Sequence, residues 1–242
     1  MIEVEALSKL YGQLEAVQGL SFHVAAGEVV GLVGPNGAGK TTTLRSLAGI
    51  IRPTAGTIRI AGHDLARDPV PAKRALAFIP DEPHLFDYLT VEEHLGFIAR
   101  LYGVAEAPAR VPSLLAELEL DEKRGALPSA LSRGMRQKLA IACGLLHEPR
   151  ALIFDEPLTG LDPLGIRRMK DTIRRRAEAG TAVVLSSHLL HLVEEVCDRV
   201  LVLRAGRLIA AGSIREIVAG DPALAGRPLE EVFVALMDRN AP

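Results

Sequence analysis

The sequence predicts an α/β protein whose mostly parallel β-sheet carries helices on both faces. Apolar runs rich in β-branched residues, each bounded by turn residues, alternate with helical patterns along most of the chain. A glycine-rich segment, residues 34–42, joins one of these runs to a helical pattern. A long helical stretch, residues 84–145, interrupts the alternation and predicts a helical insert on the α/β core.

Five apolar runs are predicted as strands, and four patterns between or after them are predicted as helices. The strands cover residues 27–34, 74–80, 150–157, 180–188 and 198–212, and the helices cover residues 40–49, 134–146, 164–179 and 189–196. Strands that are connected through helices usually run parallel, so these runs should share one sheet.

The helical insert has start and stop signals of its own. Thr90 and Glu93 form a predicted capping box, in which each side chain bonds the backbone N–H of the other residue. Pro108, Pro112 and Pro128 are expected to break the helical stretch.

The main domain is predicted to cover residues 1–212, with the insert at about 84–145. After Gly212 come two short helical patterns, each opening with Ser or Pro and with acidic residues in its first turn. Residues 213–242 are therefore predicted to be a short helical extension.

Composition limits the function classes. The 242 residues are 48% hydrophobic and carry a formal net charge of -2, which suits a large core and argues against a dedicated nucleic-acid binder. Cys143 and Cys197 lack close partners in sequence, so a reduced cytoplasmic setting is favoured over a disulfide framework. The N-terminus lacks a signal pattern, and no apolar run approaches the roughly 20 residues of a membrane span. Any membrane role would come through a partner.

The glycine-rich segment reads "GPNGAGKTT" and fits the phosphate-loop pattern G-x-x-x-x-G-K-[ST]. Its glycines let backbone N–H groups converge on phosphate oxygens, Lys40 would reach the β- and γ-phosphates, and Thr41 would bind Mg²⁺. A chance glycine turn before a helix is the alternative. The predicted nucleotide contacts are Gly34, Pro35, Asn36, Gly37, Ala38, Gly39, Lys40, Thr41 and Thr42.

A pair of carboxylates ends the strand pattern "ALIFDEP". Asp155 suits a contact to the metal ion, and Glu156, expected to point the other way along the strand, suits a general base for the attacking water. The alternative is that both carboxylates only cap the strand end. His188 follows another strand, and a metal pair with His191 is disfavoured because no carboxylate or cysteine completes it.

A second helix start lies in "LSRGMRQKLA", where Ser132 is the predicted cap. With the phosphate loop, residues 152–156, residues 158–162 and His188, this segment resembles the ATP-binding subunit of an ABC transporter. The likeness covers residues 1–212. It implies a P-loop NTPase core, an antiparallel β subdomain on the N-terminal side, the helical insert, and bound ATP and Mg²⁺.

The resemblance also implies roles for single residues. Tyr11 would stack on the adenine, Asp162 would lie at a dimer interface, and His188 would contact the γ-phosphate and orient the attacking water. Ser132 and Gly134 would bind the ATP that is held by the phosphate loop of a second subunit. This head-to-tail arrangement explains why one chain has two helix starts suited to anions.

Two positions depart from the family pattern. Arg133 and Met135 replace the commonest glycine and glutamine of the signature, and we expect the signature to work because an extra cation near phosphate is tolerable. In "FIPDEPHLF", Asp81 stands where the family usually has glutamine, and it is a candidate metal contact. The longer segment "PDEPHLFDYLT" resembles ATPase subunits of exporters whose membrane-spanning part is a separate polypeptide.

The predicted protein is thus the ATP-hydrolysing motor of an ABC transporter. Its expected partners are a second subunit, most simply a copy of itself, and an integral-membrane subunit, with no nucleic acid and no direct membrane insertion. It would be cytoplasmic and peripheral on the inner face of the membrane. Alternatives are an ABC-type ATPase acting on nucleic acid or ribosomes, which would need a long coiled-coil insertion or two ATPase halves, and a P-loop kinase or GTPase. The chain lacks the guanine-selective Asn-Lys-x-Asp motif of the latter.

Overall fold

The computed structural model describes residues 1–219 and 226–239. The strands are β1 Ile2–Tyr11, β2 Leu14–Val24, β3 Val29–Val33, β4 Ala55–Ile60, β5 His63–Asp64, β6 Leu76–Ile79, β7 Ala151–Asp155, β8 Ala182–Ser186, β9 Arg199–Arg204 and β10 Arg207–Gly212. The helices are α1 Lys40–Leu47, α2 Pro69–Arg74, α3 Val91–Tyr102, α4 Ala107–Glu117, α5 Arg133–Leu145, α6 Pro163–Glu178, α7 Leu190–Val196, α8 Ile214–Ala219 and α9 Leu229–Arg239. Short 3₁₀ turns cover Asp121–Lys123 and Pro128–Ala130.

Two sheets form the framework. The larger sheet has the order β10-β9-β3-β8-β7-β6, in which all neighbours pair in parallel except the edge strand β10. The smaller sheet, β2-β1-β4-β5, is antiparallel throughout. The predicted α/β class, with a mostly parallel sheet and an antiparallel subdomain on the N-terminal side, is confirmed.

Burial explains why the central strands read as continuous apolar runs. Every residue of β3, β7 and β8 is buried, as expected for parallel strands that are covered on both faces. One face packs with α1 and the antiparallel sheet, in a cluster that includes Leu44 and Ile2. The other face packs with the insert, α6 and α7, in a cluster that includes Leu139, Ile173 and Val193.

The helical stretch differs from its prediction at its start, at Pro112, and between α4 and α5, where residues 118–132 form no α-helix and only two short 3₁₀ turns. Residues 84–90 contain no helix, and the first helix begins at Val91; the capping box of Thr90 and Glu93 is confirmed and sets this start. Pro112 does not end a helix, because it lies inside α4. The helix continues past it because Leu114 and Leu115 are buried, which offsets the hydrogen bond that proline lacks.

The C-terminal extension packs on the rest of the chain. Leu229 is 1% exposed and joins the core cluster on the insert side of the larger sheet, and Val232 is fully buried. Helix α9 lies against α7, the helix that follows His188. Across residues 1–219 and 226–239, none of the helices combines the length and the apolar character needed to cross a membrane.

Candidate nucleotide and catalytic site

The phosphate loop lies at the carboxyl end of β3, and its glycines are required by close backbone contacts. A Cβ at Gly34 would lie 2.4 Å from the Leu203 carbonyl oxygen, and one at Gly39 would lie 2.4 Å from the Ala16 carbonyl oxygen. Gly39 is also the N-cap of α1, with a φ of 100° and no side-chain capping bond. The first turn of α1 therefore has backbone N–H groups suited to phosphate oxygens.

Lys40 opens α1 and spans the loop. Its Nζ donates to the carbonyl oxygens of Gly34 at 2.6 Å and Pro35 at 3.2 Å. Burial lowers the pKa of Lys40, while the nearby carboxylates of Glu156 and Asp155 act in the opposite direction. An ammonium group has three donors, so one remains for a phosphate oxygen.

Two oxygen ligands meet at the ends of neighbouring elements. The Thr41 hydroxyl donates to Asp155 Oδ1 at 3.4 Å, and the Ser186 hydroxyl donates to the same oxygen at 2.7 Å. Asp155 is 5% exposed. A hydroxyl and a carboxylate beside a phosphate loop suit Mg²⁺, which takes few protein ligands and several phosphate or water oxygens.

Glu156 is positioned by a turn rather than by strand alternation, which corrects the prediction. Strand β7 ends at Asp155, and Glu156 has a left-handed φ of 54°. Its backbone N–H donates to Ser186 Oγ at 3.0 Å. The turn aims its carboxylate at the residues that follow β8.

The histidine and the carboxylate of the predicted catalytic set are in contact. Glu156 Oε2 accepts from His188 Nδ1–H at 2.8 Å and from the His188 backbone N–H at 3.2 Å. The Glu156 side chain is largely buried and the His188 side chain is mostly exposed. A carboxylate held in this way can accept a proton from water, and the exposed edge of the imidazole can contact a phosphate.

The predicted contacts to a second subunit lie at the starts of two helices. Ser132 caps α5, as predicted, by accepting from the Met135 N–H at 3.2 Å, and Gly134 follows in its first turn. Asp162 caps α6 and accepts from the Gly165 N–H at 2.7 Å. Ser132 and Asp162 are both exposed.

Tyr11 ends β1 with its ring 46% exposed, and Lys9 Nζ lies 5.0 Å from the ring centroid. An exposed aromatic ring can stack on a planar base.

Asp81 follows β6, where its carboxylate accepts from Arg133 Nη2 at 3.1 Å. It lines a cleft of about 840 Å³ between the larger sheet and the insert, and Thr41, Asp155 and Glu156 line the same cleft. In the described ranges, no group of three or more His, Cys, Asp or Glu residues is arranged to hold a metal ion.

Sequence reasoning missed Ser186, which bonds both Asp155 and the backbone of Glu156. The available signal was a serine at the end of an otherwise apolar strand pattern, "TAVVLSS". A buried hydroxyl at such a position needs polar partners.

Comparison with known proteins identifies relatives over the whole chain. A sequence model described as "ABC transporter" matches residues 17–159. The Nod factor export ATP-binding protein I of Paraburkholderia xenovorans (strain LB400) is 40% identical and is matched over 100% of this chain and 80% of that protein. The ABC-type transporter ATP-binding protein EcsA of Bacillus subtilis (strain 168) is 35% identical, over 90% of this chain and 89% of that protein.

Solved structures match as well. One described as the ATP binding subunit of an ABC transporter is 38% identical, with a TM-score of 0.93 over 98% of this chain and 99% of that chain. A dimeric ATP-binding cassette in a post-hydrolysis state with ADP and Pi has a TM-score of 0.81 over 89% of this chain and 99% of that chain. At 24% identity, the second likeness shows a shared fold.

Proposed function

The chain belongs to the ABC transporter family as an ATP-binding subunit with ATPase activity, and we propose that it closes as a head-to-tail dimer on two ATP molecules to drive export through a separate membrane-spanning subunit. The contact between Glu156 and His188 beside the phosphate loop carries this proposal. Relatives named for Nod factor export support the direction of transport.

The proposed chemistry is hydrolysis of the β–γ phosphoanhydride bond of ATP: the oxygen of water bonds to the γ-phosphorus, the bond to the bridging oxygen breaks, and ADP and phosphate are released. Glu156 takes the proton of the attacking water, and His188 contacts the γ-phosphate and orients that water. Lys40 and the first-turn N–H groups of α1 stabilise the charge that develops on the phosphate oxygens. Mg²⁺, held by Thr41 and Asp155, would neutralise charge on the β- and γ-phosphates.

The proposed dimer gives Ser132, Gly134 and Asp162 their roles. They are presented at the starts of α5 and α6, where the helix dipole and backbone N–H groups favour an anion. In the dimer they would face the ATP of the partner. Contacts to the γ-phosphate exist only before hydrolysis, so hydrolysis and phosphate release reopen the dimer.

The cleft beside the insert is the proposed docking surface for the membrane-spanning subunit. Thr41 and Glu156 line this cleft, and so do the apolar side chains of Phe86, Phe97 and Ile98. Phe86 is 55% exposed, and an exposed apolar patch of this kind is typical of a protein interaction site. Docking there would connect the transported substrate's path to the γ-phosphate and would hold this chain on the cytoplasmic face of the membrane.

Replacing Glu156 with Gln tests both the base and the dimer. The amide keeps the size of the side chain but cannot accept a proton, so we expect phosphate release to fall by about 10²–10⁴-fold and an ATP-bound dimer to accumulate. Phosphate release and size-exclusion chromatography with light scattering measure the two effects, and Lys40→Ala serves as the variant that should form no dimer. A Glu156→Gln chain that stays monomeric in saturating ATP and hydrolyses ATP normally would refute the assignment.

Affinity purification from detergent-solubilised membranes tests the partner. A polytopic membrane protein that co-purifies would support the transporter motor. Recovery of ribosomal or chromosomal proteins alone would favour the alternative ABC-type ATPase that acts on nucleic acid or ribosomes.

A further inference from the structure

We infer that Asp81 and Arg133 are a positioning pair that holds the start of α5, and with it Ser132 and Gly134, in place for the partner's ATP. The inference rests on the proposed head-to-tail dimer, because it concerns the half-site that this chain offers to a second copy. It assigns Asp81 a role other than the metal contact considered from the sequence.

The pair connects two segments that are far apart in the chain. Arg133 is the first residue of α5, and its Nη2 donates to Asp81 Oδ1 at 3.1 Å. Asp81 lies two residues after the end of β6, so its backbone is anchored to the sheet. The bond therefore links the insert to the core next to Ser132.

The stem of Arg133 is held by a third segment. A Cβ on Gly160 would lie 3.1 Å from Arg133 Cδ and Nε, so the arginine chain passes close over this glycine. A Cβ on Gly134 would lie 3.2 Å from the Gly160 carbonyl oxygen. Gly160 belongs to the connection between Glu156 and Asp162, so the start of α5 packs against the segment that joins the proposed base to the dimer interface.

A second hydrogen bond joins the same two segments as the ion pair. Gln137 lies one turn after Arg133 on the same face of α5, and its Nε2 donates to the Pro80 carbonyl oxygen at 3.2 Å. Gln137 is 1% exposed, whereas the Arg133 and Asp81 side chains are about half exposed. The buried hydrogen bond of Gln137 fixes the second turn of α5 to the loop after β6. The exposed ion pair of Arg133 and Asp81 fixes the first residue of the helix.

The exposed pair should matter little to global stability but more to the half-site. Exposed ion pairs contribute little to folding, so neither partner is needed for the chain to fold. A small displacement of Ser132 and Gly134 would, however, lengthen every contact to the partner's γ-phosphate. Loss of the pair should therefore weaken ATP-dependent dimerisation without lowering the unfolding temperature.

The test is a double-mutant cycle in the full-length Glu156→Gln chain with MgATP. We expect Asp81→Ala and Arg133→Ala each to raise the ATP concentration for half-maximal dimerisation by about two- to fivefold, and the double variant to be no weaker than either single variant. Arg133→Lys should recover most of the loss, because a single N–H contact is enough. Glu82→Gln is the matched control, since Glu82 is an adjacent exposed carboxylate with no ion pair or side-chain hydrogen bond among the described residues.

Three results would overturn the proposed positioning role. The single variants could dimerise like the parent, or their effects on dimerisation could multiply in the double variant. In the third case, only added Mg²⁺ would reverse the effect of Asp81→Ala. The last result would return Asp81 to a metal role. Hydrogen exchange of the α5 N-terminus in the isolated chain provides a readout that does not need the dimer, and both single variants should speed it about two- to fivefold. If the Glu156→Gln parent itself forms no dimer, the proposed function fails and this exchange measurement alone decides on the pair.

Discussion

Ser186 shows how one residue can give two adjacent carboxylates different environments. Its hydroxyl donates to Asp155 Oδ1 and accepts from the Glu156 N–H. Asp155 is therefore held inward beside Thr41, while the left-handed turn at Glu156 directs the next carboxylate toward His188. The neighbouring positions can thus serve a metal ion and a water molecule without competing.

Protonation of His147 is expected to lower the free energy of unfolding at acidic pH. Burial lowers the pKa of His147, opposed by its bond to the Leu76 carbonyl oxygen, and its ring stacks on Tyr102 with centroids 3.8 Å apart. The unfolded chain therefore binds more protons than the folded chain as the pH falls below about 6.5, and the free energy of unfolding decreases through that window.

Urea unfolding at pH 7.5 and 5.5 measures this contribution. His147→Phe keeps an aromatic ring in the stack but cannot be protonated, so it should lose less stability between the two pH values than the wild type. An equal loss in both chains would mean that other groups carry the acid sensitivity.

Alanine substitutions at Gly37 and Gly39 can distinguish the cost of backbone strain from the cost of a steric clash in the phosphate loop. Both have positive φ, but a Cβ at Gly37 meets nothing within 4 Å, whereas one at Gly39 lies 2.4 Å from the Ala16 carbonyl oxygen. Gly37→Ala should cost about 1 kcal/mol of unfolding free energy, and Gly39→Ala about 3 kcal/mol because the backbone must also move. Denaturant titration distinguishes them, and equal costs would contradict the steric argument.

At the scale of elements, specific side-chain bonds tie helices to other parts of the chain. Helix α5 is tied to the loop after β6 through Arg133 and Gln137. Helix α6 is tied to α4 through Glu117, which accepts from Thr172 at 2.9 Å and Arg175 at 2.9 Å. The proposed interface residues thus begin helices whose positions depend on other parts of the chain.

Helix α9 offers a direct test of whether the extension stabilises the core. Val232 is fully buried and Val234 is 57% exposed on the same helix. Val232→Ala should cost about 2 kcal/mol of unfolding free energy, and Val234→Ala should change it by less than about 0.5 kcal/mol. A comparison of thermal or urea unfolding that finds no difference between the two would show that α9 does not pack as described.

At the scale of the whole molecule, one cleft connects the catalytic residues with exposed aromatic residues. Asp155 and Glu156 line this cleft together with Phe86 and Phe97. The Phe86 backbone N–H donates to His94 Nε2 at 2.9 Å, which holds the loop against α3. Movement of a partner segment docked at Phe86 would therefore also act on α3.

Phe86 and Tyr88, in the loop between β6 and α3, are expected to bind the membrane-spanning subunit. Both side chains are exposed, Phe86 by 55% and Tyr88 by 92%. Replacing either with alanine removes an aromatic contact surface, so co-purification of the membrane protein should fall several-fold or more. ATP-dependent dimerisation in the Glu156→Gln background should persist. Val234→Ala, an exposed apolar position on α9, is the control, and unchanged co-purification in all three variants would exclude the loop as the docking surface.

Much of the local structure could be predicted because its causes are close in sequence. The phosphate loop, the Thr90 capping box and the Ser132 cap each depend on residues within one or two turns. The start of the insert and the continuity of α4 across Pro112 were predicted wrongly. The local capping box at Thr90 sets the first of these boundaries, whereas at Pro112 the burial of Leu114 and Leu115 outweighed the local pattern.

The α/β class, the parallel strands at the centre of the larger sheet, and the motifs that identify the family could be predicted, because each is encoded in periodicity or in a short contiguous run. Three contacts could be found only in the folded chain: Glu156 meets His188 through a left-handed turn, Arg133 bonds Asp81, and α9 packs against α7. These contacts join residues that are distant in the chain. Their geometry depends on how the sheet and the insert pack, and one sequence carries no local signal for that packing.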